Sequence, residues 1–99
     1  MTTQTREFDV LVIGSGAAGM TLALKLSQNF SVAILSKDEP NEGSTYYAQG
    51  GVAAVLDEYD SMASHIEDTL DAGAGLCHED AVQFTVQHSP EIINWLVEL

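Results

Sequence analysis

Basic side chains are scarce in this sequence. Three lysines and arginines stand against fifteen aspartates and glutamates, which gives a formal net charge of -12. A chain with this charge is not expected to bind nucleic acid or an anionic membrane, because both carry negative charge themselves. The acidic residues are scattered rather than clustered, so we interpret them as a solvated surface.

Cysteine is almost absent, and histidine is rare. The single Cys77 excludes an internal disulfide and favours a reducing compartment. One adjacent histidine, His78, does not give it the spacing of a metal site, and a buried or half-buried thiol is the better interpretation. His65 and His88 do not pair at ligand spacing either, so we predict no metal site.

Long apolar runs are also missing. No stretch approaches the ~20 apolar residues that a membrane span needs, and the first ten residues lack the apolar core of a signal peptide. These absences predict a cytoplasmic protein without a membrane partner. At 99 residues the chain is one domain at most, with a marginal core. The helical pattern from Pro90 to Leu99 has no stop signal, so we expect a fragment of a longer protein.

What the sequence does contain is a glycine-rich turn between an apolar run and a helical pattern. The fingerprint G-x-G-x-x-G occupies residues 14–19, after a predicted strand at residues 7–13 and before a predicted helix at residues 17–28 that Asn29 caps. In such a turn the first glycine permits the bend, the second lets the backbone approach a pyrophosphate, and the third lets the helix pack closely on the strand. The turn and helix start consist of Gly14, Ser15, Gly16, Ala17, Ala18 and Gly19.

A second buried strand is predicted at residues 31–35, which completes a βαβ unit. In many such units an acidic residue follows the second strand and binds the ribose hydroxyls. Here Ser36 occupies that place, followed by Lys37 and Asp38. The Ser36 hydroxyl can bind a ribose hydroxyl. Lys37 is expected either beside phosphate or adenosine, or as a solvated charge.

The rest of the chain is predicted to be a loop followed by helices. The apolar residues 52–56 fit a short strand or a buried segment equally well. A helix is predicted after the cap Asp60–Ser61, with Met62, Ile66 and Leu70 on one face, and it ends at Gly73 and Gly75. Another is predicted from His78 or Asp80. The last begins at Pro90, and its buried face consists of Ile92, Ile93, Trp95 and Leu96.

These elements predict an α/β fold: an incomplete Rossmann-like domain with a βαβ start and a parallel sheet, followed by helices. The third strand is expected beyond Leu99, because a doubly wound sheet needs more than two parallel strands.

The order of the motifs resembles one flavoprotein family. Over about residues 8–99 the chain resembles the aspartate oxidase branch of the fumarate reductase and succinate dehydrogenase flavoproteins. The resemblance lies in the order strand, GSGAAG, helix, a second strand ending in SK, then EGSTYYAQGGVAAV and DAGAGL. This resemblance implies FAD as the cofactor and residues 1–99 as the amino-terminal part of the FAD-binding domain. The remainder of that domain and the substrate-capping domain would then be absent. It also implies cofactor contacts from residues 15–18, from Lys37 and from a flavin-end segment, namely Ser44, Thr45, Tyr46, Tyr47, Ala48, Gln49, Gly50 and Gly51. Tyr46 and Tyr47 are equally well explained as residues that pack beneath the loop.

The resemblance further implies oxidation of L-aspartate to iminoaspartate. The electrons would pass to oxygen or fumarate, and the product would feed quinolinate and NAD synthesis, with a functional link to quinolinate synthase. The respiratory members carry a covalently bonded histidine at the position of Ser44, so serine there predicts non-covalent FAD. The chain holds one arginine, Arg6, and we predict no catalytic residue within it. The alternatives are a soluble fumarate reductase with non-covalent FAD and a truncated, non-catalytic flavin-binding fragment.

Overall fold

The computed structural model describes residues 2–99 and contains two short strands and four helices. The chain divides into two compact units, the first ending at Gly50 and the second, Gly51–Leu99, holding the remainder. In chain order the elements are β1 (Val10–Ile13), α1 (Ala17–Leu26), β2 (Val32–Leu35), α2 (Ser44–Tyr47), α3 (Met62–Ala72) and α4 (Glu79–Glu98).

The first unit is a βαβ arrangement. Strands β1 and β2 run parallel, with Val10 opposite Val32 and Ile13 opposite Leu35. The ladder continues into the turn, where the Gly14 N–H donates to the Leu35 carbonyl oxygen over 2.9 Å. Helix α1 packs against both strands. The predicted βαβ start with a parallel sheet is therefore confirmed.

At their amino-terminal ends the two strands are joined by a pair of side chains. The Asp9 carboxylate accepts hydrogen bonds from the Ser31 N–H and hydroxyl, over 2.8 and 2.9 Å, and the Asp9 N–H donates to the Ser31 hydroxyl. The backbone hydrogen bond from Ser31, followed by the one from its hydroxyl, lowers the pKa of Asp9 below its ordinary value of 3.8.

Several predicted boundaries were wrong by a few residues. Both strands are shorter than predicted, and α1 ends at Leu26 with Ser27 as its C-cap instead of Asn29. The Ser27 hydroxyl donates to the Leu24 carbonyl oxygen, which satisfies a carbonyl of the last turn. Residues 44–47, predicted as loop, form the single helical turn α2. Turns of this length are too short for sequence periodicity to detect.

In the second unit α3 packs against α4. The Ser61 hydroxyl caps α3 by accepting from the Ser64 N–H over 3.0 Å, and Gly73 is the C-cap, so both predicted ends are confirmed. His78 is the N-cap of α4, one of the two predicted starts. Neither alternative for residues 52–56 is confirmed, because they belong to no strand and Val52 is 76% exposed.

The prediction that Pro90 begins a separate helix was wrong. Helix α4 is continuous over 20 residues and contains Pro90 in its interior. Proline lacks the N–H that would reach the carbonyl four residues earlier. In the preceding turn, the His88 Nδ1 donates to the Phe84 carbonyl and the Ser89 hydroxyl donates to the Thr85 carbonyl. These side-chain hydrogen bonds stabilise the helical turn that directly precedes Pro90.

Few side chains are fully buried. Among residues 2–99 the buried apolar ones are Val12, Ala23 and Val86, and many large apolar side chains are exposed. Of the face predicted for the end of α4, Ile93 and Trp95 are half-buried, whereas Ile92 and Leu96 are exposed. None of the helices in this part of the chain combines the length and apolar character that crossing a bilayer requires.

Candidate functional site

A cleft of about 1130 Å³ opens at the carboxyl ends of β1 and β2, wholly within the first unit. Parallel α/β sheets bind ligands at this edge of the sheet. Two predicted segments meet here, the fingerprint turn and the start of the flavin-end segment. The cleft is lined by Gly14, Ser15, Gly16, Met20, Ser36, Lys37, Asp38, Pro40, Asn41, Glu42, Gly43, Ser44, Thr45, Tyr46 and Tyr47.

The fingerprint turn is built as its glycines require. Gly14 has a φ of +111°, a conformation that side chains disfavour, and a Cβ there would face open space. At Gly19 a Cβ would overlap the Gly14 carbonyl oxygen and lie 3.4 Å from Val12 Cγ1. The third glycine of the fingerprint is therefore required where α1 approaches the turn, and the Val12 distance agrees with the predicted close packing of the helix on the strand.

Two hydroxyl contacts join the walls of the cleft. The Ser15 and Ser36 hydroxyl oxygens lie 3.0 Å apart and share a hydrogen bond, which links the turn to the end of β2. The Thr45 hydroxyl accepts from the Ala17 N–H over 3.2 Å, which links α2 to the start of α1. Neither contact is predictable from spacing, because each joins residues more than 20 positions apart.

The two tyrosines of α2 are exposed and contact each other. Their rings meet edge to face with centroids 5.3 Å apart, and the Tyr47 hydroxyl donates to the Glu42 carboxylate over 2.9 Å. Both rings line the cleft. Glu42 was not among the predicted site residues, although it lies only two positions before the flavin-end segment.

Not every predicted site residue lines the cleft. Ala17 contributes its N–H to the Thr45 contact, and Gly19 supports the packing of the turn. Gly51 is the first residue of the second unit. The predicted residues outside the cleft lining are Ala17, Ala18, Gly19, Ala48, Gln49, Gly50 and Gly51.

The second unit holds the cysteine and the histidines. Cys77 is half-buried, and its thiol lies 3.8 Å from the Thr69 carbonyl oxygen. His78 occupies the N-cap position of α4 without a side-chain capping hydrogen bond, and His88 contacts Phe84 within the same helix. Across residues 2–99, no three His, Cys, Asp or Glu side chains come together in a way that suits a metal ion.

A family model described as an FAD binding domain matches residues 9–99. The chain belongs to the FAD binding domain family. FAD is therefore the cofactor, as the family resemblance implies, and the α/β fold class is confirmed.

The chain is similar in sequence to several L-aspartate oxidases. It is 64% identical over 95 residues to the L-aspartate oxidase of Pseudomonas aeruginosa, covering 96% of this chain and 18% of that protein. It is 46% identical over 99 residues to the chloroplastic L-aspartate oxidase of Arabidopsis thaliana, covering all of this chain and 15% of that protein. The resemblance to the aspartate oxidase branch is therefore confirmed. The chain spans less than a fifth of the length of either relative.

A solved structure supports the same fold. The FrdA chain of an E. coli quinol fumarate reductase variant matches with a TM-score of 0.81 and 36% identity, covering 95% of this chain and 17% of that chain.

The volume of the cleft and the open backbone beside it are compatible with FAD. Its volume is slightly above the roughly 300–1,000 Å³ of typical ligand pockets, and it is open beside Gly14, where no side chain intervenes. Its charged side chains are Lys37, Asp38 and Glu42, which together carry one net negative charge. Side-chain charge therefore does not favour a pyrophosphate here. The suitable donors are backbone N–H groups of the first turn of α1, which follows the cleft-lining Gly16, and the helix dipole favours an anion there.

Proposed function

We propose that these residues are the amino-terminal part of the FAD-binding domain of an FAD-dependent L-aspartate oxidase. The observation that carries the proposal is the cleft, which brings the fingerprint turn and α2 together in a chain 64% identical to the Pseudomonas aeruginosa L-aspartate oxidase. The remainder of the domain and a substrate-capping domain would lie outside residues 1–99.

In this proposal the pyrophosphate binds at the fingerprint turn. Gly14 and Gly16 let the phosphates approach the backbone, and N–H groups of the first turn of α1 beyond Ala17 donate to them. Ser36 and Lys37 lie at the end of β2, on the adenosine side of the turn. Ser15 and Ser36 share a hydrogen bond, so we propose that this hydroxyl pair binds the ribose, at the place where many such units have a carboxylate.

The flavin end is proposed to lie against the segment that begins with α2. Ser44 and Thr45 offer hydroxyl groups to the polar edge of the ring. Tyr46, Tyr47, Ala48, Gln49, Gly50 and Gly51 complete the segment. Ser44 has no imidazole, so the covalent bond of the respiratory members cannot form at this position, and the FAD of this proposal is non-covalent. After denaturation and gel filtration, the flavin should therefore elute separately from the polypeptide.

FAD, when bound, supplies the two-electron redox chemistry, while the protein supplies binding and orientation. In the overall reaction L-aspartate loses two hydrogens across its Cα–N bond and becomes iminoaspartate. Oxygen then becomes hydrogen peroxide, or fumarate becomes succinate. Two substrate carboxylates are best held by arginine forks. The only arginine here, Arg6, precedes β1, so we assign no catalytic residue to this chain and infer that residues 1–99 alone are inactive.

The similarity to a fumarate reductase chain supports a second candidate function, that of a fumarate reductase with non-covalent FAD. Purified complete protein should produce hydrogen peroxide with L-aspartate and oxygen, and it should oxidise L-aspartate with fumarate under anaerobic conditions. Fumarate reduction by an artificial donor, without aspartate turnover, would favour the second candidate. FAD binding without either activity would leave a non-catalytic flavin-binding fragment.

We also propose a cytoplasmic location and a functional link to quinolinate synthase. The single cysteine supports a reducing compartment, and the resemblance supports the link, because iminoaspartate is the product to be consumed. Adding quinolinate synthase and its second substrate to the aspartate reaction should convert the imine to quinolinate. Failure of this coupled assay would contradict the link.

A further inference from the structure

We propose that the Thr45 hydroxyl is a positioning residue that holds the two cofactor-binding segments in register before FAD arrives. The Ala17–Thr45 hydrogen bond, 3.2 Å long, joins the first residue of α1 to the second residue of α2. We call this contact the clasp. The inference rests on the proposed FAD site and adds a role for one side chain within it.

The fingerprint places a glycine, which has no side chain, at the N-cap of α1. Helix α1 begins with N–H groups that have no partner within the helix, and a side chain at the N-cap usually accepts from one of them. Here the N-cap is Gly16, which has no side chain, and no side-chain cap is formed locally. Thr45, 28 residues further along the chain, instead supplies an acceptor to the N–H of Ala17, the first residue of α1.

Space beside Gly16 makes the clasp possible. A Cβ built on Gly16 would lie 3.6 Å from the Thr45 hydroxyl oxygen, so this oxygen sits next to the glycine as well as to the Ala17 N–H. The second fingerprint glycine therefore leaves room for a hydroxyl from α2 in addition to a phosphate. Both residues line the same cleft.

Accepting from Ala17 leaves the Thr45 proton available. A hydroxyl has one donor and two acceptor lone pairs, so Thr45 can keep the clasp and also donate to bound FAD. The clasp is therefore compatible with bound FAD. The clasp fixes α2 against α1 before FAD binds. Less conformational entropy is then lost when FAD orders the site.

Two substitutions at position 45 separate the hydroxyl from the bulk of the side chain. Thr45→Val keeps the shape and removes the hydroxyl, whereas Thr45→Ser keeps the hydroxyl. Thr85→Val is the matched control, because Thr85 is an exposed residue of α4 whose hydroxyl donates to the Ala81 carbonyl within its own helix. The complete protein carries each change. The readouts are the FAD dissociation constant, from flavin fluorescence, and the hydrogen-exchange rate of the Ala17 amide without FAD.

We expect Thr45→Val to weaken FAD binding about fivefold, equivalent to about 1 kcal/mol, and to accelerate exchange at Ala17. Thr45→Ser should retain both properties, and Thr85→Val should change neither. Unchanged exchange at Ala17 in Thr45→Val would overturn the clasp, and so would equal FAD affinities for the valine and serine variants. If the unsubstituted protein fails to bind FAD, the proposed function is overturned, while the Ala17 exchange rates still decide whether the clasp exists.

Discussion

Replacing Gly19 with alanine tests the packing of the fingerprint turn. Gly19 is the third residue of α1, and a Cβ there would overlap the Gly14 carbonyl oxygen and lie 3.1 Å from the Gly14 carbonyl carbon. Both Gly14 atoms belong to the backbone, so no rotamer change relieves the overlap. The helix must move away from the turn, or the turn must open.

The magnitude follows from two opposing effects. Alanine is favoured over glycine in a helix by about 1 kcal/mol. Overpacking against a rigid neighbour costs about 1–3 kcal/mol or more, and backbone overlap belongs at the upper end of that range. We therefore expect Gly19→Ala to lower the free energy of unfolding by about 1–2 kcal/mol.

Thermal unfolding of the cofactor-free protein, followed by far-ultraviolet circular dichroism, measures the effect. A domain of 150–250 residues loses about 2–4 °C in Tm for each kcal/mol. Gly16→Ala is the matched comparison, because its Cβ would lie 3.6 Å from the nearest atom, in ordinary contact. It should leave Tm nearly unchanged and weaken FAD binding, since its methyl group narrows the phosphate approach. A Gly19→Ala protein as stable as the unsubstituted protein would refute the reasoning.

Three further changes test the stability of individual elements. Asp9→Asn should make the free energy of unfolding less dependent on pH in the acid range. The pKa of Asp9 is lowered in the folded state, so its contribution to stability is complete above pH 3.8 and is lost as pH falls through the folded-state pKa. An unchanged pH dependence would contradict this role of Ser31. Ser61→Ala should destabilise the protein by about 1 kcal/mol through loss of the α3 cap, measured by urea unfolding with Ser61→Asp as the capping control. Pro90→Ala should stabilise α4 by about 1–3 kcal/mol by restoring a backbone hydrogen bond, and a lower Tm would show that the proline is needed where it is.

Local signals made much of the first unit predictable. The apolar run before Gly14 and the glycine spacing after it indicate β1, the turn and α1 together, because each depends on neighbours in sequence. Ser61 and Gly73 marked the ends of α3 for the same reason. The resemblance supplied the rest of the predicted site, since no spacing rule assigns Ser44 or Gln49 to a flavin.

Contacts between distant residues were beyond sequence reasoning. The Ala17–Thr45 and Ser15–Ser36 bonds exist because β2 and α2 return to the fingerprint turn, and no local pattern encodes that return. The prediction at Pro90 was wrong because it relied on a local signal alone. Proline favours a helix start, but α4 continues through Pro90 and packs on α3.

The central claim is that the fingerprint turn and α2 contact one FAD molecule. Amide hydrogen exchange of the complete protein, with and without saturating FAD, tests it most directly. The account predicts slower exchange in both residues 15–19 and Ser44–Tyr47 on FAD addition, with the same FAD concentration dependence in the two segments. Protection of one segment alone, or different concentration dependences, would contradict it.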